Sequence, residues 1–288
     1  MAAPRPARSL AWPDLVWSHF SRPRFGQFDE RVAAAAAAGY AGIGLYVREY
    51  ARLRHEEARS TADIAAVLDH HGIALADAEV ARGWWATEGP EHEGGRQIET
   101  LAYEMADAFG VRYLQAIGSY ECSFDQAVEG FAGLCDRAAE HGLLVGIEWL
   151  PYTNIANSAD AAAIVAAADR PNAGYCVDIW HHTRGGDDFA ALRRLEPDRI
   201  FAIQMNDGTL EPVDAAADYK TDCLANRVPP GEGEFDSIGF LWALADMGVT
   251  APFSIEVCNT ELWAGAIDEA ARVAADGMRR VLAQAAAR

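Results

Sequence analysis

Eight short apolar runs, each followed by a stretch of helical period, alternate along most of the chain. The strand-like runs cover residues 15–20, 42–47, 73–81, 112–117, 143–149, 174–177, 200–205 and 253–257. The helical stretches cover residues 28–38, 56–71, 96–110, 123–142, 158–168, 187–195, 235–248 and 261–285. Ser60 or Asp63 marks the start of the second helix proper, and Ser158, with Asp160 in the first turn, reads as an N-cap. Strict alternation calls for a parallel sheet with right-handed crossovers, and eight repeats close it. A doubly wound open sheet is the competing α/β architecture, but no Gly-rich dinucleotide fingerprint follows any of the runs. The expectation is one (β/α)8 barrel domain over residues 1–288, its first 12 residues a flexible segment.

Four of the apolar runs carry a polar residue that a dry core would not hold. They are Glu148 in LLVGIEW, Asp178 after GYCV, Gln204 in IFAIQM and Glu256 in FSIEV. A carboxylate embedded in a strand is costly unless it is paired, protonated or bound to a metal. One alone would read as a structural ion pair. Three carboxylates and an amide at matching ends of four successive strands point to one converging site, where a parallel barrel keeps its chemistry. Oxygen ligation by Glu148, Asp178, Gln204 and Glu256 suits a hard divalent cation, Mn²⁺ or Mg²⁺, better than zinc. His181, three residues past Asp178, lies within reach of anything bound there, whereas His182 points elsewhere and is structural.

Two connections are long, residues 82–95 and 206–234, and both fall on the expected active face. The first carries Trp84, Trp85 and His92, the second Lys220 and Arg227. Trp84 and Trp85 are candidate apolar walls for a substrate, and His19, at the end of the first run, is a further candidate contact.

Charge narrows the partners. Lys and Arg number 24 against 43 Asp and Glu, a net charge of −19, which argues against nucleic acid and anionic membranes. Five cysteines without a C-x-x-C pair fit a reduced, cytoplasmic protein. The basic N-terminus is followed by no long apolar segment, so neither a secretory signal nor a membrane span is expected. A homo-oligomer is compatible with this composition.

The order GIEWLP, VDIWHH, IQMND, PGEGEFD and SIEVCN resembles the xylose-isomerase-like superfamily of sugar isomerases and epimerases, most densely over residues 143–259. The resemblance implies a (β/α)8 barrel, with metal ligands carried onto Glu148, Asp178, Gln204 and Glu256. Ketose 3-epimerases have histidine where this chain has Gln204, and in this respect the chain is similar to bacterial 3-dehydroshikimate dehydratases. The resemblance also makes His181 a substrate contact or base, and Arg227 a contact to a substrate oxygen.

The leading expectation is an isomerase or epimerase of a sugar or polyol-derived ketone, working through an enediolate stabilised by the divalent ion. Glu148 and Glu256 would serve as acid and base on opposite faces of the reacting carbon, with His181 assisting. The alternative is a lyase of 3-dehydroshikimate or inosose dehydratase type with His181 as base. A non-catalytic metal-binding barrel stands third. A nuclease of the endonuclease-four type would need more histidines and a basic face.

Overall fold

The computed structural model describes residues 10–23, 25–214 and 218–287. Eight strands, all parallel and each hydrogen-bonded to the next, close on themselves in the order β1 to β8. They are β1 (Leu15–Trp17), β2 (Gly42–Tyr46), β3 (Ala74–Ala81), β4 (Tyr113–Ala116), β5 (Leu144–Glu148), β6 (Ala173–Asp178), β7 (Ile200–Met205) and β8 (Phe253–Ile255). Side chains alternate across a strand, so each strand gives one set of residues to the lumen and the other to the surrounding helices. The outward set is apolar: Leu114, Val145, Ile147, Val177 and Ile203 are buried against the helical shell.

The inward set is layered. Its lower layer includes Asp77, Tyr113, Gly146, Cys176, Ala202 and Ser254; two residues on along the same strands come Glu79, Gln115, Glu148, Asp178, Gln204 and Glu256. A Cβ at Gly146 would stand 2.8 Å from the Tyr113 ring, so this glycine makes room for the one large side chain of the lower layer. The upper layer is polar on every strand but β2, with Ser18 completing it just beyond β1. A polar layer is tolerable in a buried lumen only because its members bond to one another.

The shell contains α1 (Phe28–Ala37), α2 (Val47–His55), α3 (Thr61–His71), α4 (Gly89–Phe109), α5 (Phe124–Ala139) and α6 (Ser158–Ala168). It continues with α7 (Ile179–Arg184), α8 (Phe189–Leu192), α9 (Tyr219–Ala225), α10 (Ser237–Met247), α11 (Thr260–Ala264) and α12 (Ile267–Ala286). Several boundaries depart from the sequence reading. Ser60 does start α3, through a reciprocal capping box with Asp63. The cap of α6 is Asn157, whose side chain accepts from the backbone N–H groups of Ala159 and Asp160; Ser158 is already helical. Helix α2, inserted directly after β2, was not expected.

The second half of the stretch 82–95 is helix rather than loop, because α4 begins at Gly89. Pro90 suits a first helical turn, where its missing N–H is no loss. Gly95 is a close-approach residue, since a Cβ there would stand 2.9 Å from the Arg82 carbonyl oxygen. The expected closing helix is two, α11 and α12, separated at Gly265. Residues 1–9 of the segment expected to be flexible lie outside the described residues. Trp12 is packed: its ring meets Phe253 edge-on at 4.4 Å and its backbone N–H donates to the Thr250 carbonyl at 2.9 Å. Among the described residues, no helix is long and apolar enough to cross a membrane.

Candidate functional site

Each strand-end residue owes its place to the register of the sheet. Asp178 pairs with Gln204, and Gln204 with Ser254, so the inward set of β6, β7 and β8 rises in one direction around the lumen. Asp178 also caps α7: its Oδ1 accepts from the N–H of Trp180 at 2.6 Å and of His181 at 3.4 Å. That cap turns the chain so that His181 faces back over the lumen. His182 instead packs between the rings of Phe189 and Phe240 and beside Trp149, as its structural assignment anticipates.

The loop from β7 to α10 is fastened from below. Asp207 accepts from the backbone N–H groups of Gly208, Gly231 and Phe235 at 2.8 to 3.0 Å. A Cβ at Gly233 would fall 2.4 Å from the Asp207 carboxylate, so the glycines of PGEGEFD let the backbone wrap this side chain. The wrap, with a short antiparallel bridge between Asp207 and Val228, leads Arg227 into the lumen, where it is 1% exposed.

Arg227 is the hub. Its Nη1 donates to Asp178 Oδ2 at 2.7 Å and to Glu256 Oε2 at 3.0 Å, and its Nη2 lies 3.2 Å from His181 Nε2. Its Nε donates to the Cys223 carbonyl of α9. Asn206 donates to both oxygens of Asp178. Burial works to raise Asp178, but Arg227, His181 and Asn206 outweigh it and hold the group below the usual carboxylate range. For His181, burial lowers the ring to about 3, with Arg227 adding to the effect and Asp178 opposing it. The ring is therefore neutral in this setting.

Glu148 Oε2 accepts from Gln115 at 2.7 Å, while its Oε1, 3.4 Å from His181 Nε2, has no hydrogen-bond donor. Burial pushes Glu148 well above its ordinary value, and the charges of Glu256 and Asp178 add to the shift. Gln204 donates to Glu256 at 3.1 Å, which leaves its own Oε1 buried and unpartnered. These residues fit a divalent cation. Two buried oxygens, on Glu148 and Gln204, have no partner among the described residues and are open to a cation, and Glu148, Asp178 and His181 bring ligand atoms within 4.8 Å of one another. The structure thus sets His181 among the ligand-distance groups, where the sequence suggested a contact to substrate. It also sets the Arg227 guanidinium between Asp178 and Glu256.

A narrow cavity of about 60 Å³ opens onto this cluster, lined in part by Arg82, Gln115, Glu148, His181, Arg227 and Glu256. The tryptophans do not face it. Trp84 and Trp85 are 3% and 8% exposed, and Trp84 donates to the Ile117 carbonyl and packs on Phe131. They pack beside α5 instead, the Trp84 carbonyl and the Trp85 backbone lying against Gly130. His19 is also set away from the cavity. It is 1% exposed and sits in an aromatic cluster with Phe20, Phe25 and Tyr46, outside the cavity lining.

Four contributors were missed: Ser18, Glu79, Gln115 and Asn206. The signal for two of them was the one already in use. Glu79 in ALADAEVA and Gln115 in YLQA are polar residues near the ends of apolar runs, as Glu148 and Gln204 are.

Residues 32–283 match a family model described as the xylose isomerase-like TIM barrel. A 3-dehydroshikimate dehydratase of Pseudomonas putida is 24% identical over 265 residues, which cover 89% of this chain and 40% of the relative. An inosose isomerase of Bacillus subtilis is 25% identical over 180 residues, 59% of this chain and 63% of the relative. The chain therefore spans about two fifths of the dehydratase and less than two thirds of the isomerase. A solved structure of the IOLI protein with a bound zinc atom has the same fold, with a TM-score of 0.80 at 20% identity over 94% of this chain and 98% of that one.

Proposed function

Because the chain belongs to the xylose isomerase-like TIM barrel family, we propose that it is a metal-binding isomerase or dehydratase of a small polyhydroxylated ketone. A divalent ion held by Glu148, Asp178, Gln204 and Glu256, with His181 at ligand distance, would act as a Lewis acid toward the substrate's oxygens. An oxygen-rich set favours Mn²⁺ or Mg²⁺, and the imidazole widens the choice toward zinc.

Within that class we favour the dehydratase, a change from the epimerase expectation. The observation that carries it is the inequality of the two glutamates. An epimerase needs a free proton-transfer group on each face of the reacting carbon. Glu148 has a free oxygen beside a neutral imidazole. Glu256 is engaged on both oxygens, by Ser18 and Gln204 on Oε1 and by Arg227 on Oε2. Proton transfer is thus concentrated on the Glu148–His181 side. In the dehydration, His181 takes the proton beside the carbonyl, and the C–H electron pair forms the new double bond as the β-hydroxyl departs. The imidazolium returns that proton to the leaving oxygen, and water is released.

Arg82 supports a substrate bearing a carboxylate. It lines the cavity, is exposed, and among the described residues makes no side-chain hydrogen bond or ion pair. An uncharged inosose is the second reading, favoured by the similarity to inosose isomerases. Incubating the Mn²⁺ protein with 3-dehydroshikimate and with inososes separates them. A conjugated product absorbing in the ultraviolet is expected from the former, and isomerised inosose without loss of water would overturn the dehydratase.

A further inference from the structure

A buried carboxyl that the proposed reaction does not use lies beside the site, on the side of β1 and β3. Glu79 is 1% exposed and sits over Gly44 of β2, where a Cβ would fall 1.7 Å from its Oε1. That oxygen accepts the His19 N–H at 3.3 Å. Its Oε2 lies 3.2 Å from the Ser18 hydroxyl, which lies 2.9 Å from Glu256 Oε1.

The hydrogens can be counted. A serine hydroxyl has one hydrogen and two lone pairs. Ser18 Oγ accepts the Phe20 N–H at 3.2 Å and stands between two carboxyl groups, to only one of which it can donate. Glu256 meets donors at its other contacts, Gln204 and Arg227, so it behaves as the ionised acceptor. The second hydrogen between Ser18 and Glu79 must then belong to Glu79. Among the described residues no cation bonds Glu79, and Arg31 turns its guanidinium to the carbonyls of Ser18, His19 and Arg22. A buried carboxyl with no ion pair is stable as the acid, and burial, with Glu256 and Asp77 nearby, pushes this group well above its ordinary value.

We propose that Glu79 is a positioning residue held as a carboxylic acid, whose O–H sets the Ser18 hydroxyl to donate to Glu256 and so holds that side chain in its metal-facing orientation. The proposal rests on the reading of Glu256 as a ligand. Partners behind a metal ligand typically matter by 10- to 100-fold in affinity.

The test pairs Glu79→Gln with Glu79→Ala and titrates each folded protein with Mn²⁺ by calorimetry. Glutamine keeps both contacts, its NH₂ donating to Ser18 and its oxygen accepting from His19, so Mn²⁺ affinity should stay within about 2-fold of the parent. Alanine should lower it by about 10-fold. Equal losses in both variants would mean that an ionised Glu79 is required, and an alanine variant binding like the parent would mean no positioning role; either overturns the proposal. Infrared difference spectra of parent against Glu79→Gln should lose a protonated-carboxyl C=O band, and its persistence would overturn the proposal even if the alanine variant fails to fold. A parent protein that binds no Mn²⁺ would remove the orienting role and sink the metal reading as well. The infrared band then reports only whether Glu79 is an acid.

Discussion

Glu148 and Glu256 are the same residue at equivalent strand ends, buried to within a percentage point of each other at 4% and 5% exposure, yet their surroundings differ. Glu148 is held by one donor, Gln115, and turns a bare oxygen toward His181. Glu256 is held by Ser18, Gln204 and Arg227. Burial raises both groups above the ordinary carboxylate range, but for Glu148 the neighbouring Glu256 and Asp178 charges come next in importance, whereas for Glu256 the opposing Arg227 does. A carboxylate braced by three donors is a fixed anchor. One with a free oxygen in an acidic neighbourhood is available to move a proton. Position on the barrel makes both into site residues, and the hydrogen-bonding neighbours divide the work between them.

The largest expected effects fall on the free side. His181→Ala, which removes the base, and Glu148→Gln, which removes the carboxylate beside the imidazolium, should each lower turnover at least about 10²-fold, the lower end of the usual scale for acid–base catalysis, with Mn²⁺ content retained. Turnover within 10-fold of the parent in both would break the comparison.

The next is a stability effect beneath the braced side. Burial raises Asp77, in the lower layer under Glu256, from 3.8 to about 7. A carboxyl whose folded value is raised binds its proton more tightly when folded. Its contribution is therefore complete below the unfolded value and is lost as pH climbs from about 4 to about 7. Asp77→Asn should remove that loss, worth up to about 4 kcal/mol at roughly 1.4 kcal/mol per pH unit. Urea melts at pH 5 and pH 8 should show a smaller difference between the two pH values in the variant than in the parent.

A smaller effect separates the adjacent histidines. His182→Ala should cost about 2 kcal/mol through the cavity left among Trp149, Phe189 and Phe240, read by thermal melting, with turnover per folded molecule near the parent's. The smallest catalytic effect belongs to Glu256→Gln. It should weaken Mn²⁺ binding about 10-fold yet leave turnover at saturating Mn²⁺ within about 3-fold, a far milder loss than the factor a general base contributes. A dead but metal-loaded Glu256→Gln variant would restore the two-face epimerase.

Much of this was legible in the chain. The barrel followed from the alternation of short apolar runs with helical segments, and Glu148, Asp178, Gln204 and Glu256 from polar residues standing inside those runs or at their ends. The same rule, applied to all eight runs, would have found Glu79 and Gln115. Local chemistry misled at Gly89–Gly95, whose glycines and proline read as a loop and proved to be the first turns of α4, and at Trp84 and Trp85, whose exposure no local pattern reports.

What the sequence by itself determined is which residues line the upper lumen, because side-chain direction along a strand is a local, period-two property. Only the tertiary structure decided what each of them does there. Ser18 and Glu256 lie 238 positions apart and Arg227 and Asp178 are 49 apart, and contacts across such separations exist only once the barrel has closed. Hydrogen-bond partners and local dielectric set which carboxyl is bare, which is braced and which keeps its proton, and both are properties of the assembled lumen.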